Sequence, residues 1–240
     1  MPISKTDFVR GLQCEKMLWL DAHAPEEKII PPEVQERLDA GNAFGDNAMG
    51  LFGEFVETTT LKEDGRLHFS AMLEKTKTLL EQSVPVICEA CFSWYGNFCA
   101  ADILRKTENG YLLYEVKNTH SVRKEFLCDL GFQRLLLRKC GVKILASYLV
   151  LRGDEETQPK EQSASALDEK TIKTEFLEYN GFRYKIADVT EYARRMERLA
   201  EQRIFELGKL KKKDAPLPDI SVGEQCEKPY RCWYYDFCRK

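Results

Sequence analysis

The chain is poor in features that would place it in a membrane or outside the cell. No apolar run among its 240 residues reaches the roughly 20 residues of a membrane-spanning helix, and we expect neither a signal peptide nor an internal repeat. A basic excess is also lacking: 36 lysines and arginines face 39 acidic residues, for a net charge of −3. This balance counts modestly against a nucleic-acid-binding protein. A hydrophobic content of 43% indicates one globular, cytoplasmic domain.

The segment from Asp102 to Lys117 carries the most informative pattern. Asn109-Gly110 separates two apolar-alternating runs, and this predicts a β-hairpin because both central residues of a type I′ turn need positive φ. If Asn109-Gly110 is the two-residue loop, Asp102 lies opposite Lys117 and diagonal to Glu115, all on one face. Two carboxylates and an amine held on rigid strands can hold a divalent metal ion and a water molecule beside a phosphodiester bond.

Helices and strands are predicted on both sides of this hairpin, so the fold class is α/β. Around the hairpin, periodicity predicts a helix over 70–82, strands near 84–92, 97–105 and 111–118, a helix around 127–137 ended by Gly141, and a buried strand over 142–151. Outside this core, we expect helices over 4–12 (with Ser4 as N-cap), 33–50 and from a Thr190 cap to 213, and a hairpin at Asn180-Gly181. Residues 153–170 are polar and are expected to form a loop or a partly disordered insertion.

Cysteine placement is the second strong feature. Three of the nine cysteines lie at the C-terminal end as Cys226-x5-Cys232-x5-Cys238, and Cys14 lies near the start. A soft four-thiolate site holds either zinc or an iron–sulfur cluster, and the paired Cys-x2-4-Cys knuckles of zinc modules are missing from these four. The remaining thiols are expected to be reduced and structural, without a disulfide framework; they are Cys88, Cys91, Cys99, Cys128 and Cys140.

These motifs resemble those of the PD-(D/E)XK nuclease superfamily, in which an acid is followed by Glu-x-Lys. One distant cysteine with a C-terminal triad resembles the iron–sulfur staple of RecB-like nucleases, which include CRISPR-associated exonucleases and helicase–nuclease subunits. The chain is most similar to an uncharacterised bacterial RecB-like family, over nearly its whole length. The matching stretches are Ile3–Thr6 with Cys14, Ala101–Leu104, Glu115–Asn118, Asp129-x3-Gln133, Asp188–Thr190 and the cysteine triad.

The resemblance implies a single RecB-like nuclease domain over residues 1–240. Its restriction-endonuclease-like core, at about 70–152, would run helix, three antiparallel strands, helix, strand. The terminal helices would be tied by a [4Fe–4S] cluster on four cysteines, namely Cys14, Cys226, Cys232 and Cys238.

The resemblance also implies roles for the hairpin residues. Asp102, Glu115 and the carbonyl of Val116 would ligate Mg²⁺ or Mn²⁺. Lys117 would orient or help deprotonate the attacking water, and Gln133 would approach the active site from a helix. RecB-like enzymes often carry a metal-binding histidine on an N-terminal helix. The corresponding stretch, 41–47, has none, and Asp46 is the candidate substitute.

The expected function is hydrolysis of DNA phosphodiester bonds, as an exonuclease on single strands or ends in repair, recombination or defence. The expected partners are DNA and a helicase or other repair or defence protein, without a membrane. A second hypothesis is a non-catalytic nucleic-acid-binding or scaffold module that keeps the fold and the cluster. The intact Asp102, Glu115 and Lys117 favour the nuclease, and the missing histidine favours the scaffold. A zinc-stapled structural domain is a third, weaker alternative.

Overall fold

A mixed seven-stranded β-sheet lies at the centre of the computed structural model, which describes residues 1–154 and 171–240 except the side chain of Glu33. The strands of these ranges are β1 Val56–Glu57, β2 Val86–Trp94, β3 Asn97–Thr107, β4 Gly110–Val116, β5 Ile144–Arg152, β6 Thr174–Tyr179 and β7 Phe182–Asp188. The α-helices are α1 Lys5–Gln13, α2 Glu15–His23, α3 Pro32–Ala48, α4 Phe69–Glu81, α5 Lys124–Lys139, α6 Thr190–Lys209 and α7 Tyr235–Arg239. The α/β class is therefore confirmed.

The sheet order is β1-β2-β3-β4-β5-β7-β6. Helix α4 leads into β2, β3 and β4, which pair antiparallel. Helix α5 then crosses over to β5, which lies parallel to β4. The predicted helix over 70–82 and the four predicted strands before residue 152 are confirmed, with bounds that differ by at most two residues.

The outer elements also agree closely with the sequence patterns. Ser4 caps α1 through a capping box with Asp7, and Asn180 and Gly181 both have positive φ in the β6–β7 turn. The predicted cap at Thr190 is wrong, because Thr190 is the first helical residue and its hydroxyl donates to Asp188 Oδ1 at 2.7 Å. Most of the predicted insertion, residues 155–170, lies outside the described residues.

The β3–β4 turn differs from its predicted register. Thr107 pairs with Gly110, so Glu108 and Asn109 are the two turn residues. Gly110 already belongs to β4, with a φ of +156°, and a Cβ there would lie 2.6 Å from the carbonyl oxygen of Lys143. This close approach to the start of β5 draws Gly110 into the strand and moves the pairing by two residues.

Each face of the sheet is covered by its own apolar cluster. On one face, α5 and α6 pack with α1; Phe8 of α1 stacks on Phe132 of α5 with ring centroids 5.1 Å apart. On the other face, Phe44 at the end of α3 packs against Tyr184 of β7. Both faces of the central strands are therefore buried, as expected for strands that read as near-continuous apolar runs.

The N-terminal residues are fastened to the first two residues of β3. The backbone N–H of Ile3 donates to Asn97 Oδ1 at 2.9 Å, and the N–H of Phe98 donates to the carbonyl of Ile3 at 3.1 Å. Ser4 and Phe98 form a parallel bridge. These contacts place the start of α1 beside the central hairpin. None of the helices within the described ranges has the length and apolar character needed to cross a membrane.

Candidate active site and cysteine pocket

Asp102 on β3 and Glu115 on β4 lie opposite each other on adjacent strands. The observed register pairs Ile103 with Tyr114, and its continuation pairs 102 with 115. The prediction that Asp102 lies opposite Lys117 is therefore wrong. The shift is two residues, so Asp102, Glu115 and Lys117 keep their common face, because side chains alternate with a period of two.

The two carboxylates converge on one point, which the ammonium of Lys5 occupies. Lys5 Nζ lies 3.4 Å from Asp102 Oδ1 and 3.3 Å from Glu115 Oε1. The second oxygen of Asp102 accepts the backbone N–H of Val116 at 2.7 Å, which fixes this carboxylate across the hairpin. The structure thus places the N–H of Val116 in the site, and the predicted role of its carbonyl as a metal ligand stays a prediction.

Lys117 turns back along β4 toward the acids. Its Nζ lies 2.5 Å from Glu115 Oε1 and 3.1 Å from Asp129 Oδ2. Burial alone would lower the pKa of Lys117, but Glu115 and Asp129 outweigh it and hold the pKa above its ordinary value. Lys117 therefore carries a positive charge in this arrangement.

Helix α5 contributes Asp129 and Gln133, one turn apart on the same helix face. The side-chain amide of Gln133 donates to Glu115 Oε2 at 2.5 Å and to Asp129 Oδ1 at 2.9 Å. Its carbonyl oxygen is buried and has no hydrogen-bond partner among the described residues. The predicted approach of Gln133 to the site is thus observed, and this oxygen is an acceptor that a bound water or ion could use.

Burial sets the electrostatics of these acids. Glu115 is fully buried, and burial, followed by the charges of Asp102 and Asp129, raises its pKa to about 8. Burial would also raise the pKa of Asp129, but Lys5 and Lys117 reverse this and hold the pKa below its ordinary value. For Lys5, burial opposes the charge, yet Asp102, Asp129 and Glu115 raise its pKa well above the ordinary value.

Glu89 of β2 is a further acid at this site that the sequence patterns did not single out. It lies across from Asp102, between the pairs Cys88–Ile103 and Ala90–Ala101. Its φ of +55° is strained for a residue other than glycine inside a strand. Burial and then the charge of Asp102 raise its pKa to about 7, and Asp46 also contributes. The only indication of this acid in the sequence was a single charged residue within the apolar run that forms β2.

Lys5, Asp129 and Asp46 had weaker signals in the sequence. Lys5 belongs to the N-terminal stretch of the resemblance, and Asp129 has i,i+4 spacing to Gln133. Asp46 is on α3 and affects the pKa of Glu89, which places it toward the same acids. Its proposed substitution for a histidine ligand stays a prediction.

The four predicted cluster cysteines line one pocket between the two chain ends. Cys14 joins α1 to α2, Cys226 ends a short 3₁₀ turn, and Cys238 lies on α7. Cys232 sits between them: its N–H donates to the carbonyl of Cys226 at 2.7 Å, and its Sγ accepts the N–H of Tyr234 at 3.4 Å. Burial raises the pKa of both Cys232 and Cys238.

Side-chain contacts also tie the two chain ends around this pocket. The amide of Gln13 donates to the carbonyls of Gln225 and Tyr230 at 2.8 and 2.7 Å. The hydroxyl of Tyr234 donates to Asp21 at 2.9 Å. The ends therefore meet through protein contacts as well as through the shared pocket.

The remaining cysteines are free, as are the four in the pocket. Cys88, Cys91, Cys99 and Cys128 are buried, which agrees with their expected place among apolar core residues; their reduced state stays a prediction. For Cys140 the expected apolar surroundings are wrong, because this residue follows α5 at its C-terminal cap and is exposed.

Among residues 1–154 and 171–240, no three histidine, cysteine, aspartate or glutamate side chains form a group that could hold a metal ion as it stands. At the hairpin, the ammonium of Lys5 lies between the two carboxylates that a metal would share. At the pocket, the four thiols lie around one space without forming such a group.

Comparison of the chain with protein-family models, with curated proteins and with solved structures found no match.

Proposed function

We propose that this protein is a metal-dependent nuclease that hydrolyses phosphodiester bonds in DNA, acting on single strands or ends. The observation that carries the proposal is the convergence of Asp102 and Glu115, whose oxygens lie within 3.4 Å of one cationic atom. Such a position suits Mg²⁺ or Mn²⁺, since Mg²⁺ binds proteins through one or two carboxylates and keeps several waters. The buried oxygen of Gln133, which has no partner among the described residues, also fits a site that takes up water or an ion.

The order of elements supports this proposal. Helix α4, the antiparallel strands β2 to β4, helix α5 and the parallel strand β5 follow one another along the chain. The same order characterises the restriction-endonuclease-like core of the PD-(D/E)XK superfamily, which the motifs resemble. In that core, the acid and the Glu-x-Lys motif lie on adjacent strands, as Asp102 and Glu115 do here.

The chain's own residues would share the work of hydrolysis. A bound divalent ion would polarise the scissile phosphodiester and lower the pKa of a coordinated water. Lys117, held as an ammonium, would stabilise the negative charge that develops on the attacked phosphate. The N–H of Val116 orients Asp102, and the amide of Gln133 orients Glu115, so both carboxylates are held in place before the substrate arrives.

The cysteine pocket fits a [4Fe–4S] cluster by the chemistry of its donors, since four thiols from both chain ends line it. The N–H that Tyr234 directs at Cys232 Sγ is a contact that suits a thiolate. In this proposal the four cysteines hold the terminal helices together. Zinc is the alternative occupant, and metal and sulfide analysis of anaerobically purified protein separates the two.

The alternative function is a non-catalytic nucleic-acid-binding or scaffold module, working with a helicase or another repair or defence protein. The position of Lys5 favours it, because an ammonium between the two carboxylates opposes a metal there. The absence of histidine from residues 41–47 favours it as well.

The test uses anaerobically prepared protein with labelled single- and double-stranded DNA and Mn²⁺. We expect cleavage by the wild type and a loss of at least ~100-fold in Asp102→Asn and Lys117→Ala, because each removes charge from the reacting centre. Asp64→Asn is the matched control, since Asp64 is exposed and pairs with Arg66 away from the site. DNA binding without cleavage by the wild type would favour the scaffold, and equal cleavage by all variants would refute the assignment of these residues.

A further inference from the structure

Lys5 is a second lysine in the candidate site, and the proposed mechanism does not use it. Its ammonium lies 3.4 Å from Asp102 Oδ1 and 3.3 and 3.4 Å from the two oxygens of Glu115. These are the carboxylates assigned to a divalent metal. Lys117, in contrast, pairs with Glu115 and Asp129.

The fold holds the backbone of Lys5 on both sides. Before it, Ile3 and Ser4 are bonded to the first two residues of β3. After it, Asp7 closes the capping box with Ser4 and pairs with Lys211 at 2.8 Å. The ammonium therefore enters the site from a fixed helix start.

A divalent ion and this ammonium cannot share the position. Mg²⁺ needs its oxygen ligands at about 2.0–2.1 Å, so an ion bound by Asp102 and Glu115 would lie within the space that Lys5 Nζ fills. Like charges at such a separation in a partly buried site repel strongly. Without any cation at this position, however, the carboxylate of Asp102 would lose its ion pair with Lys5, and Lys117 would not replace it, because Lys117 pairs with Glu115 and Asp129.

We propose that Lys5 is an internal counter-cation, which balances Asp102 and Glu115 in the metal-free protein and must be displaced when a divalent metal binds. This inference rests on the metal pair of the proposed function. Lys5 then has two opposite effects: it stabilises the metal-free fold and weakens the affinity for the metal.

The test compares Mn²⁺ binding, followed by the electron paramagnetic resonance signal of the free ion, with thermal unfolding. Lys5→Met keeps an unbranched apolar stem and removes the charge. We expect it to bind Mn²⁺ at least tenfold more tightly than the wild type, equivalent to about 1.4 kcal/mol. The metal-free variant should unfold at a lower temperature, and Mn²⁺ should raise its midpoint more than that of the wild type.

Three further variants make the result specific. Lys5→Arg keeps the positive charge and should bind Mn²⁺ as weakly as the wild type does. Lys5→Gln, which retains hydrogen bonding, serves as a second neutral variant if Lys5→Met folds poorly. Lys211→Met removes the ion pair to Asp7 that helps hold α1, without touching the acids, and should leave Mn²⁺ affinity unchanged.

Equal or weaker Mn²⁺ binding by both neutral variants overturns the role of Lys5, while loss of binding in Asp102→Asn would still support the metal pair. Tighter binding by Lys211→Met would mean that loosening α1, and not the charge of Lys5, controls affinity. If neither the wild type nor the neutral variants bind Mn²⁺, this inference and the metal pair both fail.

Discussion

Helix α5 carries Asp129 and Gln133 into the site, and Gly131 between them sets how closely α5 lies to α6. A Cβ at Gly131 would lie 2.4 Å from Met196 Cβ, 2.5 Å from the backbone carbon of Met196 and 2.7 Å from the backbone nitrogen of Glu197. Two of these three atoms belong to the backbone of α6 and cannot rotate away. Gly131→Ala must therefore push the two helices apart.

The expected cost is the balance of two opposing terms. Replacing glycine by alanine inside a helix gains about 1 kcal/mol. Overpacking a tight core contact costs about 1–3 kcal/mol, and we expect the upper end here because the obstacle is backbone. We therefore expect a net loss of about 2 kcal/mol in the free energy of unfolding. Residues 131 and 133 lie on opposite faces of α5, so the shift should also disturb the contact of Gln133 with Glu115, now 2.5 Å, and reduce DNA cleavage.

Urea denaturation of anaerobically purified protein measures the loss directly. Gly45→Ala is the matched control, because Gly45 lies in helix α3 and a Cβ at this position would have no contact within 4 Å among the described residues outside the backbone of its own helix. This control should be stabilised by up to about 1 kcal/mol. A Gly131→Ala protein as stable as the wild type, or stabilised like the control, would refute the argument that rigid backbone of α6 blocks a side chain at Gly131.

Two more substitutions probe the fastening of the chain ends. Cys232→Ser should lose iron and sulfide, and limited proteolysis should then cut both termini before the central sheet. Cys140→Ser, at an exposed cysteine, is the control and should behave as the wild type. A full iron content in Cys232→Ser would contradict the cluster assignment. Asn97→Ala should lower the free energy of unfolding by about 1–3 kcal/mol, because it leaves the buried N–H of Ile3 without its acceptor. Denaturation measures this, and an unchanged stability would show that Asn97 does not hold the start of α1.

Local rules were enough to place the main secondary-structure elements. Periods of two and 3.6 residues located β2 to β5 and α4, and Ser4 with Asp7 marked the start of α1. The β6–β7 turn at Asn180-Gly181 followed from the need for positive φ at both positions. These features depend on neighbours within a few residues, which is why composition and spacing predict them.

Local rules predicted the wrong register for the β3–β4 turn. Asn109-Gly110 has the sequence of a type I′ turn, yet Gly110 pairs within β4 because β5 approaches its backbone. That approach involves Lys143, which lies more than thirty residues further along the chain, so the local preferences of turn residues cannot predict it. The same limit applies to Glu89, whose pKa is raised by burial and by Asp102 on the neighbouring strand.

The alternation of side chains along a strand was enough to predict that Asp102, Glu115 and Lys117 share one face, because a two-residue shift of register preserves that alternation. The groups that these side chains contact could not be predicted in this way. Lys5 reaches Asp102 and Glu115 from 97 and 110 residues away, through a helix start fastened to the beginning of β3. Contacts at such separations follow from packing of the whole chain, and this packing places an ammonium between the two carboxylates.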